Sequence, residues 1–225
     1  MSILPFLRLR CARAAAAASF ACAVFTLVLA PAQAGTLAVT ASQRDGKPLA
    51  GAVVLVEAVS PTPPPPPPAR ATMDQVDLSF VPDVLVVPLH STVQFPNSDA
   101  ISHQVYSFSS ARRFQLPLYR GKPYPPVTFD EPGVVTLGCN IHDNMLAYIV
   151  VTKANYFGRT DSSGKWTLPN LPAGKFRLRL WHPLLNETSD VERLVDGATG
   201  GSLEVWLSRN LRPAPLTGRP HSWDY

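Results

Sequence analysis

Cysteine is scarce in this chain, charge is thin, and no stretch carries a convincing helical period. Each shortage excludes something. Charged residues make up 16% of the 225 positions, and there is no basic stripe, which argues against a nucleic-acid partner. Without the 3.6-residue apolar period the fold class is all-β. Two of the three cysteines, Cys11 and Cys22, fall in a stretch that reads as an export signal. Arg8, Arg10 and Arg13 stand there with no acidic neighbour. An Ala-rich apolar run follows, slightly short for a membrane span, and Ala32-Gln33-Ala34 closes it as a cleavage site. Residues 1–34 are therefore expected to be removed on export to the periplasm, with no stable membrane insertion afterwards. Of the 20 basic residues, 17 then remain against 16 acidic ones. One thiol, Cys139, remains too. An exported chain with a single thiol cannot close an internal disulfide, so that thiol must pair, react or be held.

What is present is a succession of short apolar and alternating runs. Residues 36–59 read as two strands around the Asp45-Gly46 turn, the second being Ala52 to Glu57. Pro63 to Pro68 cannot donate backbone hydrogen bonds and reads as an extended, stiff linker, placed at 61–72. Residues 73–152 read as a compact β unit. Its strands are Gln75–Phe80, Val84–Pro88, Ser91–Phe95, Val105–Phe108, Val127–Phe129, Val134–Leu137 and Leu146–Val151. Residues 156–208 show the same alternation, with turns at Thr160–Gly164 and Leu171–Gly174 and strands through Trp166, Phe176–Trp181 and Leu203–Leu207. Residues 210–225 carry little apolar pattern and read as a disordered tail.

The chemistry is concentrated in Gly138-Cys139-Asn140-Ile141-His142-Asp143-Asn144-Met145, a loop between two apolar strands. A thiol, an imidazole and a thioether recur there at the spacing C-x2-H-x2-M. Thiolate and thioether with imidazole select copper, and a thiolate, two imidazoles and a weak axial thioether make a blue-copper electron-transfer site. The second imidazole comes from elsewhere. His103 follows the strand end and loop Phe95 to Asp99 and precedes the strand at Val105, at one end of a sandwich where distant loops meet. The expected ligand set is His103, Cys139, His142 and Met145. Taken singly, Cys139 reads as a small buried hydrophobe, Met145 as core, and either histidine as a turn residue; their joint spacing changes that reading. His90 reads as a surface turn residue, His182 and His221 as bystanders, and Asp99 and Asp143 as loop caps or surface acids.

On these residues, 73–152 resemble a cupredoxin of the plastocyanin and amicyanin type. Val93 to Asp99 with His103 is similar to the family's first ligand region, and Gly138 to Met145 to its ligand loop. Phe95–Ser109 with Leu137–Tyr148 is closer still to periplasmic methylamine-utilisation-type cupredoxin domains. The resemblance implies a Greek-key sandwich, one type 1 copper and electron transfer with a dehydrogenase or cytochrome. It also implies that the edge of His142 is the electron port, within an apolar patch of Pro96, Ile141 and Phe108. Gln104 stands where many cupredoxins carry an Asn that ties the two ligand loops together. The flanking pieces, 35–60 and 153–209, resemble the two halves of a carboxypeptidase regulatory-like (transthyretin-like) β-sandwich, Asp45 to Val54 the opening and Thr160 to Phe176 the second half. The implied arrangement is a small sandwich split by the copper unit, in a monomer. A copper carrier or sensor would use the same ligands with a labile site. A Cys-His hydrolase would need a base, an orienting group and an oxyanion site, and Met145 would have no role.

Overall fold

The computed structural model describes residues 34–60, 63–121, 123–185 and 192–213. The stretch read as an export signal lies outside these residues except for Ala34, and so does His221. Every regular element among the described residues is a β-strand, as the alternating runs require, and none of them forms a helix long and apolar enough to cross a membrane.

Two sheets enclose the first core. In one, Gly35–Ser42 lies between Lys165–Leu171, antiparallel to it, and Gly201–Trp206, parallel to it. In the other, the order is Tyr156–Arg159, Val53–Ser60, Lys175–Trp181, Glu192–Asp196. Val53–Ser60 is antiparallel to both of its neighbours, with Val54 opposite Gly158 on one side and Leu180 on the other. The inward set, Leu37, Val39, Val54 and Val56 from the start of the chain and Leu178, Leu180 and Val205 from its end, forms one buried cluster. Each such side chain contributes about 1.5–3 kcal/mol when fully buried. The two early strands alone present half a core, so their stability depends on a segment more than a hundred residues later.

Between these segments lies a second β body. A five-stranded sheet runs Val84–Pro88, Leu146–Thr152, Gly133–Gly138, His103–Ser109, Arg112–Tyr119, and a three-stranded sheet runs Val127–Phe129, Ser91–Gln94, Arg70–Thr72. Phe95, Phe129, Leu137, Ile149 and Val151 are buried between them. Part of the outer face of the larger sheet is covered: Val84 and Val150 pack with Val53 and Trp181 of the first body, and the ring of Tyr148 meets that of Trp181 edge-on at 5.5 Å. Arg159 of the first body also reaches Asp83 of the second at 2.9 Å.

Several local expectations change. Gln75–Phe80 is a hairpin rather than one strand, because Asp77 and Leu78 take left-handed φ values of 49° and 58°. Arg70–Thr72, expected as linker, pairs in parallel with Thr92–Gln94. The prolines before it lie against the protein, where the Asn155 amide donates to the carbonyls of Pro63 and Pro64. The strand Arg112–Tyr119 goes beyond the sequence reading; it contains Pro117, which fits its place at a sheet edge, where few ladder bonds are needed, while its Phe114 and Leu116 pack on the core of this body. Glu192–Asp196, another edge strand, also goes beyond it. At the start of the expected tail, Asn210 accepts the Asp45 N–H, Leu211 packs on the first core and its N–H bonds Gln43.

Candidate metal centre

The hairpin of Gly133–Gly138 and Leu146–Thr152 brings the ligand loop to one end of the larger sheet. Gly138 faces Leu146 across it, and Tyr106 faces Gly138 from the other side. Residue 138 has to be small: a β-carbon there would stand 2.8 Å from the Tyr106 ring and hydroxyl. Cys139, the next residue, is 3% exposed. The loop then turns, with the Met145 N–H bonded to the His142 carbonyl. The turn leaves the His142 ring half-buried and folds Met145 back into the core that holds Cys139.

His103 comes from the second loop. It opens the strand His103–Ser109, is wholly buried, and is opposite Tyr119. Buried polar contacts hold this loop. The Asn97 amide donates to the carbonyls of Ile101 and Tyr119, and its oxygen accepts the Asp99 N–H. The Tyr119 hydroxyl donates to the Phe95 carbonyl and accepts from Gln75. Burial, offset in part by the Gln75 bond, pushes the Tyr119 phenol up to about 12.

The structure brings the donor atoms of His103, Cys139 and His142 within 4.8 Å of one another. The two Nδ1 atoms are 3.1 Å apart, and Cys139 Sγ is 3.8 Å from His142 Nδ1. A borderline ion such as zinc bonds imidazole nitrogen at about 2.0–2.1 Å and thiolate sulfur at about 2.3 Å, which sets N···N at roughly 3–3.5 Å and N···S at roughly 3.5–4 Å. The spacings fit one such ion, and the thiolate with imidazoles suits copper.

Asp99, expected as a cap or surface acid, does more. Its carboxylate accepts the N–H groups of Asp77 and Leu78 at the left-handed hairpin turn, and it bonds His103 Nε2 at 2.6 Å. Burial opposes its ionisation, but the bonds from Leu78, His103 and Asp77 outweigh burial and hold the carboxyl below its ordinary range. Sequence reasoning missed this contact; the one available signal was an acid four residues before the histidine. The His142 imidazole is shifted down, by burial first and then by His103, with Asp99 opposing. His90 lies at the surface beside Asp130 at 3.1 Å, and His182 accepts the Leu184 N–H. Phe108 does not belong beside His142. It lies five residues along the strand from His103, a rise of about 16 Å, with its ring against Tyr106.

No protein-family model matches the chain, and no curated protein matches it. Among solved structures it is similar to a copper-containing nitrite reductase from Thermus scotoductus, at 30% identity and a TM-score of 0.35 over 42% of this chain and 24% of that one. The chain thus spans about a quarter of the reductase. It is also similar to a purple cupredoxin from Nitrosopumilus maritimus, at 21% identity and a TM-score of 0.32 over 36% of this chain and 99% of that one. A third is a single-residue variant of amicyanin in its reduced Cu(I) form, at 20% identity and a TM-score of 0.35 over 43% of this chain and 98% of that one. All three likenesses leave more than half of this chain unmatched.

Proposed function

We propose that this chain is an exported type 1 copper protein that passes single electrons between redox partners, with His103, Cys139, His142 and Met145 as ligands. The observation that carries the reading is the convergence of one thiol and two imidazole Nδ1 atoms, at spacings that fit a single ion, beside a buried thioether. Copper held there would alternate between Cu(II) and Cu(I), taking up and giving back one electron.

The surroundings favour an electron carrier over a copper carrier. His103 and Cys139 are buried, and the His103 loop is pinned by Asn97, Tyr119 and Asp99. Donors fixed in this way change little between oxidation states, which suits rapid exchange, whereas handing over metal needs donors that can move apart. His142 is the half-buried member of the set. Ile141 and Leu146 on its loop and Ile101 on the other are exposed apolar side chains. An apolar rim lets a partner dock briefly and exclude water. That partner, a dehydrogenase or a cytochrome, is expected to meet this end of the molecule.

The test is redox cycling of the copper-loaded protein with metal retention followed in parallel. Rapid bleaching by a one-electron donor and full recovery by an acceptor, with no copper lost to a competing chelator, is the expected result. Slow exchange coupled with quick handover of copper to an apo acceptor would overturn it in favour of a carrier.

A further inference from the structure

The contact between Asp99 and His103 has no counterpart in the ligand motif, and it is placed where it can act on the metal without touching it. Asp99 Oδ2 lies 2.6 Å from His103 Nε2, with the Asp99 side chain 12% exposed and that of His103 not exposed at all. Its carboxylate is also fixed by backbone, Oδ1 accepting the Asp77 N–H and Oδ2 the Leu78 N–H. We infer that Asp99 is a positioning residue that sets the tautomer of His103 and, through that ring, lowers the reduction potential of the site.

The tautomer follows from the inventory of donors and acceptors. A carboxylate only accepts, so a ring proton of His103 sits on Nε2, and in the neutral ring Nδ1 keeps its lone pair. His142 Nδ1 stands 3.1 Å from that lone pair. Two bare lone pairs would repel at this distance. With both rings neutral, His142 therefore carries its proton on Nδ1 and donates it to His103 in the metal-free protein. The result is a hydrogen-bonded row, Asp99 to His103 to His142, in which His103 is already oriented for metal. Of the two imidazoles, only His142 must then move its proton, to Nε2, to bind metal through Nδ1.

The effect on potential rests on the copper reading. An anionic partner on the far nitrogen makes an imidazole a more basic ligand. It also places a full negative charge one ring away from the donor atom. Both effects favour the more highly charged Cu(II) over Cu(I), which lowers the potential.

Two measurements on the full exported chain test the inference. The first needs no variant and no metal: long-range ¹⁵N–¹H correlation of the apo protein at neutral pH. His103 is expected as the Nε2–H tautomer and His142 as the Nδ1–H tautomer; His103 found with its proton on Nδ1 would overturn the proposal. The second is Asp99→Asn, whose amide oxygen can still accept one loop N–H. The coloured copper form is expected to persist while the preference for Cu(II) falls by about tenfold, equivalent to a rise of about 59 mV for one electron. A coloured variant with an unchanged or lower potential would overturn the tuning role. A wild-type chain that takes up copper without colour would sink the electron-carrier reading, and the tautomer measurement would still decide what Asp99 does to His103.

Discussion

At the scale of single residues, Met145 and Tyr119 separate assembling a site from supporting it. Met145 is 2% exposed, so it fills core space whatever else it does. Met145→Ala removes that volume and should cost about 2–5 kcal/mol in the apo protein by denaturant unfolding. Met145→Leu keeps the volume and should cost less than about 1.5 kcal/mol. Both should keep the copper colour and shift the potential, because a weak axial thioether tunes the site and does not assemble it. Tyr119 supports the His103 loop from beneath. Tyr119→Phe loses its bonds with Gln75 and the Phe95 carbonyl and should cost about 1–3 kcal/mol. The pH dependence has a definite sign. Burial raises the phenol from 10.0 to about 12, so the folded chain keeps a proton that the unfolded chain releases. The contribution is complete below pH 10 and is lost as pH rises through about 12. Unfolding midpoints from pH 8 to 12 should fall in the parent chain and fall less in Tyr119→Phe.

At the scale of elements, the tight passage is the end of Gly133–Gly138, where Tyr106 lies over Gly138. Gly138→Ala forces the ring aside, with an expected cost of about 1–3 kcal/mol and a weakened copper colour, because Cys139 is the next residue. Tyr106→Leu should recover part of the loss, and a double-mutant cycle measures the coupling. The same element explains what was legible in the sequence. Val134–Leu137 and Leu146–Val151 are short, β-branched and interrupted by a polar loop, so strand, loop and donor set could all be read together. The edge strand Arg112–Tyr119 could not: Phe114, Leu116 and Leu118 alternate, but Pro117 inside the run argues against a strand, and only a place at a sheet edge tolerates it. The hairpin at Asp77 and Leu78 has the pattern of one alternating strand, since period-two patterning continues through a two-residue turn. Phe108 is near the ligands in sequence and far from them in space, because the extended strand carries it away. Asp99 was legible as a cap, and it does cap the Asp77 turn. Its bond to His103 depends on how a loop folds back, which no spacing reveals.

At the scale of the whole molecule, two β bodies share a face through Val53, Trp181, Val84, Val150 and Tyr148. Trp181→Ala should lower overall stability by about 3–5 kcal/mol and separate the loss of copper colour from the loss of backbone β signal during denaturant unfolding, two probes that coincide when unfolding is all-or-none. Coincident transitions in the variant would mean that the two bodies remain coupled without this contact. The copper site itself is tested by the optical spectrum of the purified exported chain titrated with Cu(II), alongside Cys139→Ser. The expected result is an intense blue thiolate-to-copper band that saturates at one copper per chain and is absent from Cys139→Ser, since an alcohol cannot replace the thiolate. A parent chain that takes up zinc but never forms a coloured copper species, or that binds copper without developing that band, would contradict it.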